Sequence, residues 1–283
     1  IGVRLVGSEM CIRDSIVTRV RIPPWPPLIM KLKKIPIAKI LSTSFNFIFL
    51  DFSKKIKKGF FAVFLITFFF NLSTSSLATN FTILLFIFFS TLLMSSVGIS
   101  IHKEILEKKE QDYFLDFLSV KNFKYFFAIT AITLISISPL IFHYLFKSFG
   151  KNDLFNLSIS FLFMLWIFSS AFALRFIFIL PKIALNKKIK PYLKQMNHEG
   201  FQFLGLFVVV TIIFFIPSSI ILSLQISLSS SNAQFFTFIK PLFDFVSFYI
   251  SYFNYLIIFA AISYSYKIKN LSLIHIWRCR RRG

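Results

Sequence analysis

The chain has 283 residues, 56% of them hydrophobic, and a formal net charge of +21. Six long apolar runs occupy most of its length, which excludes a soluble enzyme. The basic residues lie in the segments between those runs, so the charge does not indicate a nucleic-acid-binding surface.

The two ends of the chain resemble translated sequencing-library adapter. Residues 10–15 read MCIRDS and residues 271–276 read LSLIHI. If the first is encoded as ATG TGT ATA AGA GAC AGC, the reverse strand contains CTG TCT CTT ATA CAC AT, which encodes Leu-Ser-Leu-Ile-His. One short DNA element read in opposite directions therefore accounts for both ends.

Residues 16–29 resemble the end of a transfer-RNA gene. Val20, Arg21 and Ile22 can be encoded by GTT CGA ATC, as in a T-arm, and residues 25–27 by TGG CCA CCA, as in an encoded acceptor end. An encoded CCA favours a bacterial source. We therefore expect residues 1–29 and 271–283 to be foreign sequence that plays no part in the fold.

The remaining residues, 30–270, are expected to form one membrane domain. They carry 24 Lys+Arg and 9 Asp+Glu, a net charge of +15. Both cysteines, Cys11 and Cys279, lie in the suspect ends, so the domain has no disulfide and no thiolate metal site.

The hydropathy pattern predicts an all-α, polytopic transmembrane helix bundle. Each apolar run is close to the roughly 20 residues that a helix needs to cross a bilayer. Segments 33–53 and 105–123 interleave apolar and charged residues and are predicted to be interfacial amphipathic helices. The six spans are placed near 59–78, 81–101, 124–146, 156–180, 201–223 and 241–266.

Lys and Arg alternate between the two sides of these spans. Eight precede the first span within the domain, the successive loops hold none, five, two, five and one, and two follow the last span. By the positive-inside rule, both termini are expected in the cytoplasm. The basic loops would then face anionic lipid head groups.

The most distinctive polar pattern lies on the sixth span. Asp244, Ser247, Ser251 and Asn254 recur at steps of three, four and three residues and therefore share one helix face. Polar groups at membrane depth turn toward the bundle or a water-filled path. The stripe is thus either part of a path for a solute or ion, with Asp244 as its charged element, or a set of interhelical hydrogen bonds. Asp244 can also pair with Lys240.

The fourth span carries a single arginine near its predicted cytoplasmic end. Arg175 can extend to a lipid phosphate, or pair with an acid. In the same span, Ser169, Ser170, Ala171 and Ala173 can allow close helix packing. Pro139 and Pro217 lie inside spans and are expected to kink them.

No motif specifies a reaction. GxGxxG, GxxxxGK[ST], HExxH and CxxC are missing from residues 30–270. His102, Glu104 and Glu107 do not share a helix face, so a metal site is not expected there. We expect no enzyme activity, no metal and no cofactor.

From Arg175 the chain reads RFIFILPKIALNKKIKPYLKQMNHEGFQFLGLF. An arginine near the end of a span, then Leu-Pro, Ala-Leu, a basic loop and a glycine entering the next span resembles a six-span family. That family occurs as the membrane domain of some bacterial glycerophosphodiester phosphodiesterases and as stand-alone relatives. Tyr192 stands where the family commonly has tryptophan. With no soluble catalytic domain here, the resemblance implies a membrane module and not a phosphodiesterase.

The expectation from sequence is a multi-pass protein of the bacterial inner membrane without catalysis of its own. It would act in envelope or lipid organisation, or as a partner subunit, bound to membrane lipids and to a protein partner or a second copy. The alternative is a transporter of a small solute or lipid that uses the stripe on the sixth span.

Overall fold

Long apolar runs fold as helices in a membrane because a helix satisfies its own backbone N–H and C=O groups. The computed structural model describes residues 36–74, 79–108, 110, 112–113, 117–148, 159–189, 199–231 and 233–280. Within these residues the secondary structure is helical, without strands. The helices are α1 (Ile37–Leu50), α2 (Phe52–Thr74), α3 (Asn80–Glu107), α4 (Val120–Ser148), α5 (Ile159–Leu174), α6 (Ile179–Ala184), α7 (Gly200–Ser231) and α8 (Ala233–Arg280).

Six segments of the described chain are long and apolar enough to cross a bilayer, which confirms the predicted fold class. Each predicted span has its counterpart, with boundaries that differ by several residues. The segments are Phe52–Thr74, Asn80–Glu107, Val120–Leu145, Ser160–Ala184, Gly200–Ser231 and Gln234–Lys269.

The first two helices meet at Asp51. α1 buries Ile40, Ser44 and Ile48 along one side, in keeping with the amphipathic helix predicted for 33–53. α2 begins at Phe52, seven residues before the predicted start of the first span, so four lysines lie in its first two turns. It ends in the polar sequence Asn-Leu-Ser-Thr.

The prediction of a second surface helix at 105–123 is wrong. α3 begins with a capping box between Thr79 and Thr82 and continues to Glu107. It ends at Lys108, which takes a left-handed conformation with φ of 57°. The described residues between Lys108 and Val120 are not helical. The Tyr113 side chain is buried against the protein, whereas Leu118 is exposed.

The fourth span is interrupted where the sequence predicted one continuous helix. α5 ends at Leu174, and Arg175, Phe176 and Ile177 donate backbone hydrogen bonds to carbonyls three residues earlier. This tighter 3₁₀-type turn leads into α6. Arg175 therefore lies at a break between two helices and not inside one.

α8 contacts α2 and α3 through aromatic side chains. Its Phe248 lies 5.1 Å from Phe70 of α2, its Phe253 lies 4.9 Å from Phe52, and its Phe259 lies 6.0 Å from the His102 ring of α3. These are centroid distances of favourable aromatic pairs.

The well-packed core lies at one end of the bundle. We call it the basic end: there α2, α4 and α7 begin and α3 and α5 end. The opposite end is called the sparse end. α7 buries Gly200, Phe203, Leu206 and Val210, all within its first three turns. α3 buries nearly every residue between Leu92 and Ile105 and none before Leu92.

By contacts the chain divides into two compact units, Pro36–Lys267 and a unit made of Ile1–Ile35 and Ile268–Gly283. Every site below lies in the first unit. The segment expected to be foreign at 1–29 lies outside the described residues. Of the suspect tail, residues 271–280 continue the backbone of α8.

Candidate functional site

At the sparse end, Asp244 joins α8 to α7. Its carboxylate accepts a hydrogen bond from Lys240 Nζ at 2.9 Å and another from Gln225 Nε2 at 3.3 Å. The Lys240 ammonium also lies 5.6 Å from the centre of the Phe70 ring. Asp244 is thus a buried carboxylate with a charged and a neutral donor. The sequence indicated the pair with Lys240, one helical turn away, but gave no signal for Gln225.

The rest of the stripe is half-buried and continues along α8. Ser251 Oγ donates to the Ser247 carbonyl within the helix at 3.1 Å. The Asn254 amide oxygen is buried, and it has no hydrogen-bond partner among the described residues. The four residues share one face of α8. Among the described residues, Asp244 is the one member of the stripe with a hydrogen bond to another helix.

Arg175 is placed by the tight contact of α7 with α5. A Cβ at Gly200 would lie 1.9 Å from the Ala171 carbonyl oxygen and 3.2 Å from Arg175 Cγ. Only a glycine allows α7 to begin there. Leu180, Pro181 and Ala184 are buried in α6 just beyond the arginine. Of the residues that carry the family resemblance, Arg175 and Gly200 therefore meet where α5 contacts α7. Tyr192 lies outside the described residues.

Serines join α4 and α5 near Pro139. Proline has no N–H, so the Ile135 carbonyl one turn earlier loses its helical donor. Ser169 Oγ of α5 donates to that carbonyl, and the Ser136 and Ser170 hydroxyls lie 2.6 Å apart. Ser169 and Ser170 thus pack closely, as predicted, and also bind the neighbouring helix.

The sequence did not reveal the network around His102. Its Nδ1 lies 2.6 Å from Ser263 Oγ of α8, and its Nε2 lies 2.9 Å from Tyr125 OH of α4. All three side chains are fully buried. A Cβ at Gly98 would lie 2.6 Å from the Tyr125 hydroxyl, so this glycine makes room for the tyrosine. In the sequence, the pattern that could have indicated this network is Gly98, one helical turn before the lone histidine His102.

One proton arrangement satisfies the whole network. Ser263 Oγ is 2.9 Å from the Phe259 carbonyl and donates its single proton there. It can then accept from His102 Nδ1–H, and a neutral imidazole in this tautomer accepts from Tyr125 O–H at Nε2. The serine proton is directed away from the histidine, so this arrangement does not activate the serine as a nucleophile.

A second buried polar pair joins α2 to α3. Lys55 is 1% exposed, its Nζ lies 2.6 Å from Glu104 Oε1, and it also lies 4.2 Å from the centre of the Phe47 ring of α1. The Lys55 carbonyl accepts from Tyr252 OH of α8 at 3.2 Å. Gly59 leaves the space for that tyrosine ring. Pairing explains how a lysine can lie inside the first turn of a membrane helix.

The segment after α3 folds back along it. Ser96 Oγ donates to the Tyr113 carbonyl, and Ser100 Oγ donates to the Asp112 carbonyl at 3.5 Å. Burial raises the pKa of the Tyr113 hydroxyl, and the Glu104 carboxylate raises it further. Outside the core, Lys54 Nζ lies 2.6 Å from Glu110 Oε1.

His102 and Glu104 thus face different partners. Within the described residues, no group of three His, Cys, Asp or Glu side chains could hold a metal ion.

These features define a class of protein: an all-α, multi-pass membrane protein whose buried polar side chains lie between helices. Neither a family model nor a curated protein nor a solved structure matches the chain.

Proposed function

We propose that this protein is a non-catalytic module of a bacterial inner membrane that acts in envelope or lipid organisation, or as a subunit of a larger complex. One observation supports it: buried polar side chains join helices to one another. His102 links α3 to α4 and α8, and Lys55 links α2 to α3. Asp244 links α8 to α7. A scaffold requires such links.

The basic end would face the cytoplasm, with both termini on that side. The alternation of Lys and Arg between loops supports this orientation. The sequence pattern from Arg175 to Gly200 supports the proposal that this module is related to the membrane-domain family that it resembles.

The orientation is tested with single cysteines in the full chain, after Cys11 and Cys279 are replaced by serine. Ser230 and Lys188 are exposed near opposite ends of the bundle. A membrane-impermeant thiol reagent added to intact cells should label Ser230→Cys and not Lys188→Cys. The reverse result would refute the proposed orientation.

The second candidate, a transporter of a small solute or lipid, is favoured by the buried Asn254 oxygen, which lacks a partner in the described structure. Water or a solute on the stripe would satisfy that oxygen. Single cysteines at Ser247 and Ser251 separate the two functions. No labelling at either position, with Ser230→Cys reactive, would mean a packed stripe and a scaffold. Labelling at both would indicate a water-lined path and a transporter.

A further inference from the structure

The corner between α1 and α2 exposes large apolar side chains at the basic end. Phe49, Leu50 and Phe52 are 49%, 82% and 41% exposed. We call these three residues the corner patch. Contiguous exposed apolar groups of this kind mark contact with a membrane or a partner.

The corner patch is held in place by stacked rings. Phe49 stacks on Phe45 at 6.0 Å and on Phe52 at 5.6 Å, and Phe52 stacks on Phe253 of α8 at 4.9 Å. The patch therefore packs against α8, which holds it in a fixed position.

Exposed lysines precede and follow the corner patch in the chain. Of the five lysines between residues 36 and 58, Lys54 and Lys55 pair with Glu110 and Glu104. Lys39 is exposed on the side of α1 that carries Leu50, since eleven residues make about three turns. Lys57 is exposed one to two turns after Phe52. This charge is complementary to phosphate groups.

The corner patch is also continuous with the apolar exterior of α2. After Lys57, the exposed residues at helical spacing are Phe60, Phe61 and Phe64, which are 53%, 55% and 50% exposed. A helix surface of this composition faces lipid. Lys57 lies between the two apolar regions, where its ammonium can extend to the head groups.

We propose that the corner patch is an anionic-phospholipid contact. Phe49, Leu50 and Phe52 insert at head-group depth, and Lys39 and Lys57 contact the lipid phosphates. The proposal rests on the proposed function, because it requires the basic end to face a leaflet rich in anionic lipid. Beyond the proposed function, it specifies which surface contacts the membrane and which class of lipid that surface binds.

The test uses the full chain with Cys11→Ser and Cys279→Ser and a single cysteine at Leu50, labelled with an environment-sensitive fluorophore. The protein is reconstituted in phosphatidylcholine vesicles with and without phosphatidylglycerol. Label at Leu50 should be quenched by nitroxides placed high on the lipid chains, and more strongly in the vesicles that contain phosphatidylglycerol. Lys188→Cys is the matched exposed control, and its label should be quenched by aqueous iodide instead.

A Lys39→Gln, Lys57→Gln double variant should lose the difference between the two kinds of vesicle while keeping the same fold. Quenching of the Leu50 label by iodide, as at Lys188, would overturn the proposal and leave the corner to a soluble partner. The orientation assay on Ser230 and Lys188 reports separately on the proposed function. An intact orientation with an aqueous Leu50 would refute only the lipid contact.

Discussion

At the scale of single residues, Ser169 supplies the donor that Pro139 removes from its own helix. A Ser169→Ala substitution removes the donor that joins the two helices and leaves the Ile135 carbonyl with Ser138 Oγ of its own helix, at 2.8 Å. We expect a loss of about 0.6 kcal/mol of unfolding free energy, and up to about 1.7 kcal/mol, the range for interhelical hydrogen bonds in membranes. Unfolding in detergent measures it. Ser223→Ala is the control, because Ser223 Oγ donates only within its own helix; an equal loss in both variants would contradict the assignment.

Two buried tyrosines should respond differently to the loss of their hydroxyls. Tyr125→Phe removes the donor to His102 Nε2 and should cost about 1–3 kcal/mol, the penalty for an unpartnered buried group. The Tyr113 hydroxyl is buried and has only a weak contact with the Tyr252 hydroxyl, which itself donates to the Lys55 carbonyl. Tyr113→Phe should therefore cost less stability than Tyr125→Phe. Thermal unfolding of both variants checks this, and an equal or larger loss for Tyr113→Phe would contradict it.

The Lys54–Glu110 contact should depend on pH in acid. The hydrogen bond from Lys54 holds the pKa of the Glu110 carboxyl below its ordinary value of 4.5. A lowered pKa means that the contact is complete above pH 4.5 and is lost as the pH falls through the lower value. A carboxyl NMR titration of Glu110 should show the shift. In Lys54→Met the pKa should return toward 4.5; an identical titration in both proteins would exclude the contact in solution.

At the scale of helices, Gly200 allows α7 to cross α5. Gly200→Ala places a methyl group against the Ala171 carbonyl and should destabilise the fold by about 1–3 kcal/mol, the usual cost of overpacking. Gly205, on the same helix, has open space where its Cβ would lie. Gly205→Ala is the matched control and should be tolerated. Detergent unfolding of the pair tests the contact, and equal stabilities would contradict it.

The helices themselves could be predicted from sequence because a membrane allows few alternatives to a closed helix. Apolar length alone located the six spans. Residue spacing correctly placed Asp244 and Asn254 on one face, and charge suggested Lys240 as the partner of Asp244. These are local relations along one helix.

Contacts between helices could not be predicted in the same way. Lys55 looked like an exposed loop residue because hydropathy does not include a partner 49 positions away. The segment 105–123 looked like a surface helix because Tyr113 and its apolar neighbours have the spacing of an amphipathic helix. The burial of Tyr113 accompanies the hydrogen bond from Ser96 to its carbonyl and the left-handed turn at Lys108, and apolar spacing predicts neither.

At the scale of the whole molecule, the two ends of the bundle differ in how they are built. The basic end combines apolar packing with buried polar links, among them Asn122, which donates to the Leu92 and Phe117 carbonyls. The sparse end holds long helices whose side chains face outward. Stability should therefore reside mainly in the half of the molecule that carries His102 and Lys55.

The composition of α2 has a consequence for the membrane around it. Between its four lysines and its polar last turn, the helix has twelve residues, Gly59 to Phe70, that are almost wholly apolar. At 1.5 Å per residue they span about 18 Å, against roughly 30 Å for a bilayer core. This is a negative hydrophobic mismatch. Beside α2, the bilayer is expected to thin, or the flanking lysines to extend to the head groups.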